Sequence, residues 1–331
     1  MNKLRFGVLG TGNIVGKAGP ALQQAFNGEW IGVAGRTAEN SRAAADKYGV
    51  PKAYAGYSEL LDDPEIDAVY IALLNHLHKE WAIRAIQAGK HVLVEKPFAL
   101  NAEDAEDIIR QAKQHGVRAE EAFVSRTMEG HTYAREAIAA GQIGDPVHFI
   151  GNFSFQAAET STRLNPAWGG GALYDVGCYL VAWSRFQFGE EPLSADCRMI
   201  RAGEAGVDLR FAGTLQFPGG GTALMTAAID MPYGCGYQVR GTKGELEVKQ
   251  FGNAQSITLQ VTINGETRDF VTDRITPFRL QAERFAAHVL AGETMPDGGA
   301  SIMAQARVMD ALFESDKRNA RITLERQTSG Q

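Results

Sequence analysis

Cysteine is scarce in this 331-residue chain, and the scarcity sets a first boundary. Cys178, Cys197 and Cys235 stand far apart, odd in number, with no C-x-x-C spacing. Neither a disulfide framework nor a cysteine-held zinc fits that pattern; reduced thiols in the cytoplasm are the expectation. No apolar run approaches the ~20 residues of a membrane span. The opening Met1-Asn2-Lys3-Leu4-Arg5 leads into a strand-like segment, with no apolar signal core and no small-residue cleavage site. Basic residues are outnumbered, 33 Lys+Arg against 39 Asp+Glu, for a net charge of -6. Nucleic-acid binding needs a concentrated basic surface, so that class is set aside along with the membrane. Internal repeats and low-complexity linkers are also missing.

What is present is an ordinary globular composition, 44% hydrophobic and 22% charged, over a length that predicts two domains. Glycine is in excess: 37 residues, above the usual ~7%. In the first 120 residues, short apolar runs at 6–9, 30–34, 68–73 and 91–94 read as strands buried on both faces. Helical stretches separate them. Thr37 caps one that Gly49 closes; Ser58 is placed to cap a short one over 59–62; residues 79–88 end at Gly89; Asn101 and Asp104 form a capping pair for one that ends at Gly116. Strand and helix in alternation predict a Rossmann-type, doubly wound parallel α/β domain.

Beyond residue 145 the pattern changes to alternation. Strands are expected at 147–155, 208–217, 222–231, 236–240, 245–250, 256–263 and 267–272, with Asn264-Gly265 as a hairpin turn. One helix follows Gly171 and two more are expected near 277–291 and 300–317; residues 325–331 are expected to fray. The predicted division is a cofactor domain over 1–122 and an open-faced, predominantly antiparallel sheet domain over 123–331.

Three constellations carry chemistry. Gly10-Thr11-Gly12-Asn13-Ile14-Val15-Gly16 follows a buried strand and opens a helix. Gly10 suits a tight turn, and Gly12 lets backbone approach a pyrophosphate at the helix N-terminus. Val15 stands where the third glycine of the usual fingerprint falls, so the motif is a partial one, and a simple strand–helix turn is the alternative. At the end of the second strand, Gly35 occupies the place of the acid that would hold a ribose 2′-hydroxyl. Arg36 and Thr37 follow, and a guanidinium suits a 2′-phosphate. NADP is therefore the expected cofactor, with NAD second.

The second constellation is Glu95-Lys96-Pro97 at a strand end, where ligands of such sheets sit. A partly desolvated Lys96 can move a proton or hold a substrate oxygen; pairing with Glu95 is the plain alternative. Asn75 and His78 lie at the same edge, Asn75 suited to a carboxamide or a ribose hydroxyl, His78 to the cofactor or merely to a helix cap. His76-x-His78 lacks further ligand-spaced partners, so no metal is expected. The third is residues 169–179, three glycines followed by Asp175 and Tyr179. Four apart, these share a helix face. A tyrosine hydroxyl can exchange the proton of an alcohol while the aspartate anchors a neighbouring hydroxyl.

In this order and spacing, the glycine turn, Glu95-Lys96-Pro97 and residues 169–179 strongly resemble the glucose–fructose oxidoreductase / inositol dehydrogenase / MocA family along essentially the whole chain. The resemblance implies a Rossmann domain followed by an open-faced sheet domain, homodimers or homotetramers built through that sheet, and metal-free NAD(P) chemistry on a sugar or polyol carbon. It makes Lys96 the catalytic lysine and Asp175 the substrate-binding aspartate. Tyr179 stands where many members have His. That form, with Arg163-Leu164-Asn165-Pro166 and Glu121-Ala122-Phe123 followed by Arg126, is similar to the branch of D-xylose dehydrogenase and trans-dihydrodiol dehydrogenase. Residues 127–131 and Leu74 depart from the family pattern beside the pocket. No long arm precedes the first strand, so ordinary cofactor exchange is expected.

The expected activity is NADP-dependent hydride transfer at a CH–OH or C=O carbon of an aldose or cyclic polyol, such as D-xylose or a glucose-like sugar. A dihydrodiol or dicarbonyl reductase is the alternative, and a non-catalytic NADP-binding sensor a further one. Lys96, Tyr179 and Asp175 form the expected catalytic set. Gly10, Thr11, Gly12, Asn13, Ile14, Arg36, Thr37, Asn75, His78, Glu95 and Lys96 are the expected cofactor contacts. Arg126, Arg163, Trp168, Asp175 and Tyr179 are the expected substrate contacts, with His131 as a further hydroxyl-positioning candidate. Whether Tyr179 or Lys96 is the direct proton donor stays open.

Overall fold

The computed structural model describes residues 3–203, 206–293, 295 and 299–325; most of the stretch expected to fray, 326–331, lies outside them. The chain divides into two compact units, Met1–Thr127 with Asp273–Met303, and Met128–Thr272 with Ala304–Gln331.

The first unit alternates β1 (Leu4–Leu9), α1 (Val15–Gln24), β2 (Gly28–Ala34), α2 (Ala38–Tyr48), β3 (Lys52–Tyr54), α3 (Tyr57–Asp62), β4 (Ala68–Ile71), α4 (His78–Gln87), β5 (His91–Glu95), α5 (Ala102–His115) and β6 (Ala119–Ala122). Its six strands lie in the order β3-β2-β1-β4-β5-β6, all parallel. Both-face burial explains their continuous apolar runs: Phe6, Val8, Leu9, Val69, Ile71 and residues 92–94 are fully buried. The caps follow the expected chemistry. Thr37 accepts a hydrogen bond from the Asn40 N–H at 3.2 Å, and Asn101 from that of Asp104 at 2.8 Å. Gly49 and Gly116 close their helices in the left-handed region. Gly56, rather than Ser58, caps α3, so the helix starts two residues earlier than expected; the Glu59 carboxylate reaches back to the Ala55 N–H.

A later segment completes this unit. Between the second unit's sheet and its last helix, the chain forms a helix over Thr276–Leu290. Its Ala282, Phe285 and Ala286 join the cluster around Phe6, Val8 and Trp30, with the Phe6 and Phe285 rings 6.0 Å apart. Asn27 donates to the Glu283 carbonyl at 2.9 Å. A single cut of the chain at residue 122 does not describe this arrangement, because apolar packing returns residues 273–303 to the first sheet.

The second unit opens with α6 (Glu129–Ala139) and β7 (Pro146–Gln156). Next come α7 (Cys178–Phe188), β8 (Ser194–Arg201), β9 (Asp208–Gln216), β10 (Thr222–Ala228) and β11 (Asp230–Gly241). The sheet continues with β12 (Glu245–Gly252), β13 (Ser256–Ile263) and β14 (Glu266–Asp273). The Thr276–Leu290 helix is α8 in chain order, followed by α9 (Ala300–Arg318) and a final short strand, β15 (Ile322–Thr323). The nine strands run β14-β13-β12-β11-β7-β10-β9-β8-β15. Of the described pairings, β7 with β10 is parallel and the others are antiparallel. One face is buried, through Phe149, Ala223, Met225, Tyr237, Val239 and Leu246; on strands β7 and β10 Ile150 and Leu224 stand exposed on the other.

His131, Gln187 and Tyr237 form a polar knot in this unit's core. The Tyr237 hydroxyl accepts from Gln187 Nε2 at 2.7 Å and lies 3.0 Å from His131 Nδ1. The His131 ring stacks on Trp183 and Tyr237 and is 3% exposed. Position in the core, not on a pocket wall, is therefore its role.

Two outcomes follow from this packing. A Cβ on the α1 residue Gly19 would overlap the buried Trp30 indole. Gly19→Ala, a change that helix propensity alone favours by about 1 kcal/mol, is expected to destabilise the protein by about 1–3 kcal/mol in urea unfolding. Burial holds the His131 pKa down at about 3, against an ordinary 6.5. Between these values the unfolded chain binds the extra proton, so stability falls as pH drops below 6.5. The Tm of His131→Phe should depend less on pH over that window than that of the wild type, measured by calorimetry.

Candidate active site

In-register parallel pairing aligns the carboxyl ends of the first sheet: Leu9 faces Ala34 and Ile71, Ile71 faces Val94, and Val94 faces Glu121. The candidate cofactor residues therefore emerge along one edge. Gly10 turns at φ +111, and a Cβ there would strike the Ala72 carbonyl, so only glycine fits. A Cβ on Gly12 meets nothing within 4 Å, leaving the approach to the α1 N-terminus open for a phosphate. Thr11, Gly12 and Asn13 are exposed, and Ile14 is half-buried.

Gly35 donates to Ser41 Oγ at 2.7 Å. A Cβ on it would press on Thr11, Asn40 and Ser41 at 3.1–3.3 Å. Arg36 and Thr37 beyond it are exposed. Two aromatic residues that sequence reading did not single out stand nearby. Tyr57 opens α3, its pKa raised by burial and opposed by the Arg36 charge. It meets Trp81 edge-on at 4.8 Å, and Arg84 lies 4.7 Å over the Trp81 ring. β3, only three residues long, leads into Tyr57 and was too short to be legible from periodicity.

Asn75 begins a short 3-10 turn, half-buried. His78 is fully buried: Nδ1 lies 2.8 Å from the Pro97 carbonyl and Nε2 3.1 Å from that of Leu73. Burial lowers its pKa, against the pull of both carbonyls; the ring braces the loops after β4 and β5 and presents no nitrogen outward. Glu95 is also buried; its carboxylate accepts from the Tyr70 hydroxyl and from the Lys96 N–H, and burial raises its pKa. Lys96 is half-buried beside it, before a cis peptide to Pro97. Lys17, on α1, has its pKa lowered by burial and by the charge of Arg274, with Glu95 acting the other way. Arg126 lies over the Phe123 ring at 5.4 Å, with Glu121 at 3.8 Å.

The second unit holds the other cluster. Arg163 Nε donates to Asp175 Oδ2 at 2.5 Å, with the guanidinium 5.6 Å over Phe155. Asp175 lies within a π-helical turn, Leu173–Gly177, which runs straight into α7 and Tyr179. Such wide turns recur at functional sites. Tyr179 packs against Phe153 and Trp183 at 5.6 and 5.7 Å and is half-buried. Trp168, in a separate 3-10 turn, is 39% exposed. The preceding glycines pack against the protein itself. A Cβ on Gly170 would meet the Arg163 carbonyl, and one on Gly171 (φ +120) would meet the Asp208 carboxylate. Asp208 was not singled out in the sequence; a lone acid at a strand start carries no motif. Among the described residues, no cluster of His, Cys, Asp and Glu could hold a metal ion, and no helix is long and apolar enough to cross a membrane.

Comparison with known proteins agrees with this geometry. Residues 4–123 match an oxidoreductase family model with an NAD-binding Rossmann fold, and residues 131–247 match the Gfo/Idh/MocA C-terminal domain. An uncharacterized oxidoreductase of Rhizobium meliloti is 34% identical, covering 96% of this chain and 98% of its own. D-xylose 1-dehydrogenase (NADP(+)) 2 of Haloferax volcanii is 32% identical over 97% and 100%. A 3-ketoreductase of Actinomadura kijaniata, solved with TDP-benzene and NADP, superposes with a TM-score of 0.84 at 27% identity, covering 95% and 98%. A glycine turn on the first sheet, an open-faced second sheet and these relatives together make the chain a member of the Gfo/Idh/MocA family of NAD(P)-binding oxidoreductases.

Proposed function

We propose that the protein is an NADP-dependent dehydrogenase or reductase acting on a CH–OH carbon of an aldose or cyclic polyol, with a D-xylose- or glucose-like sugar as substrate. The observation that carries this reading is the Arg163–Asp175 pair with Tyr179 one turn further on: a hydroxyl-binding acid beside a phenol able to exchange a proton. The D-xylose dehydrogenase among its relatives supports the substrate class.

NADP, when bound, supplies the hydride acceptor or donor. The chain's own residues do the rest. Gly10, Thr11, Gly12, Asn13 and Ile14 receive the pyrophosphate. Arg36 and Thr37, with Tyr57 beside Arg36, hold the adenosine 2′-phosphate. Asn75 orients the carboxamide or a ribose hydroxyl, and Glu95 holds the base of the Lys96 loop. Asp175, Arg163, Trp168 and Arg126 position substrate hydroxyls. Tyr179 exchanges the hydroxyl proton, and the Lys96 ammonium stabilises the developing oxygen charge. In the variant form of the mechanism Lys96 passes the proton itself.

The rings of Phe153 and Phe155 near Tyr179 and Arg163 favour, as a second reading, an aromatic dihydrodiol as substrate. Assembly as a homodimer or homotetramer through the open sheet face, where Ile150 and Leu224 are exposed, belongs to the same proposal.

NADPH formation or decay should be followed against pentoses, hexoses, dicarbonyls and an aromatic dihydrodiol. Sugar turnover is expected; tight NADPH binding with no turnover of any of them would point to a sensor instead. Lys96→Met and Tyr179→Phe should each lower kcat by orders of magnitude while NADPH still binds, and near-wild-type turnover in both would sink the assignment. Arg36→Ala should weaken NADPH binding about 10-fold or more, from the loss of a charge-assisted pair, and leave NADH binding within a factor of two; equal losses would exclude a 2′-phosphate role.

A further inference from the structure

Asp208 stands at the start of β9, 2% exposed, on no motif and outside every residue set considered so far. Its carboxylate is aimed at the turn that carries Asp175. Oδ2 accepts from the Leu173 N–H at 2.7 Å. Leu173 is the first residue of the π-helical turn, so this bond satisfies one of the N–H groups that a helix start leaves without an intrahelical partner. A negative charge there is also favoured by the helix dipole.

Two glycines are shaped to the same strand. Gly171, two residues before Leu173, adopts φ +120, and a Cβ on it would overlap Asp208 Oδ1. Backbone and carboxylate can approach this closely only because no side chain intervenes. At the far end of the turn, a Cβ on Gly177 would overlap the ring of Phe211, also on β9. Strand β9 therefore grips the turn at both ends, by a hydrogen bond at Leu173 and by ring contact at Gly177. The Asp175 N–H closes the same loop on the Gly171 carbonyl at 3.1 Å.

The grip is retained at a cost. Burial pushes the Asp208 carboxyl up to about 6, against the pull of the Leu173 N–H and of Arg201 across β8, and with Asp316 adding to the rise. Its folded-state pKa thus lies above the ordinary 3.8. Above pH 6 the charged group opposes folding, and that penalty disappears below the unfolded value. An apolar residue would pack here without the penalty.

We propose that Asp208 is a positioning residue: by holding the Leu173 N–H it sets where the π-helical turn places Asp175 and Tyr179, and so controls turnover without touching substrate or cofactor. This rests on the functional reading above, in which Asp175 and Tyr179 act on the substrate. Gly171 is the partner adaptation that admits the carboxylate.

The test compares wild type, Asp208→Ala and Asp208→Asn, each measured for sugar turnover, NADPH affinity and hydrogen–deuterium exchange at the Leu173 amide. Asp208→Ala is expected to lose at least tenfold in kcat/KM, keep its NADPH Kd within twofold, and exchange faster at Leu173. Asp208→Asn retains an acceptor oxygen and should recover to within threefold of the wild type, with Leu173 protected again. Should Asp208→Ala fail to fold, Asp208→Ser, whose hydroxyl is one bond too short to reach Leu173, carries the same expectation. Full turnover with an unprotected Leu173 would overturn the positioning role alone, as would an Asn variant as impaired as the Ala variant. A wild type that turns over no member of the panel would sink the functional reading, and the positioning role with it.

Discussion

The in-register parallel pairing of β1 with β4 and of β4 with β5, with β2 aligned on β1 again from Gly7 to Leu9, is the constraint on which the first unit depends. β1, β4 and β5 are buried at nearly every position, so a slip among them would break well-packed pairing on both sides. The register brings Gly10, Gly35, Ala72 and Glu95 to the sheet's carboxyl edge together. The glycine turn, an exposed Arg36, a half-buried Asn75 and Lys96 then share one edge as a geometric consequence. The chain does not have to steer each of them separately.

Close approach is the second theme, and glycine has different uses in different places. At Gly10 and Gly12 the absent side chains free a turn and open the way to a helix N-terminus. At Gly35 the missing Cβ relieves crowding by Thr11, Asn40 and Ser41. At Gly170, Gly171 and Gly177 the glycines admit the protein's own carbonyls, carboxylate and rings. Residues 169–179 thus form a folded device held from strand β9.

Buried polar groups mark where the fold accepts cost for position. His78 spends its ring on the carbonyls of Leu73 and Pro97, and Glu95 accepts from Tyr70 and from the Lys96 N–H. His131 shares a hydroxyl with Gln187 in the second unit's core. None of the three reaches outward as a ligand contact would. Each fixes backbone or core beneath a candidate site residue. A histidine or glutamate next to a motif reads the same in sequence whether it faces ligand or braces the loop, because the side chain's direction is set by the packing around it.

Sequence alone determined the architecture of both halves. Periodicity distinguishes strands buried on two faces from strands buried on one, and caps such as Thr37 and Asn101 announce themselves by local chemistry. The ordered motifs around Gly10, Lys96 and Asp175 determined the family for the same reason, since each is a short contiguous run. Tertiary structure decided what depends on residues far apart in the chain. It returned α8 to the first sheet through Phe285 on Phe6, brought Tyr57 beside Arg36, withdrew His78 and His131 into the interior, and set Asp208 under the turn of Asp175. These are long-range packing events, and no local pattern of residues encodes which distant side chain will fill a given space.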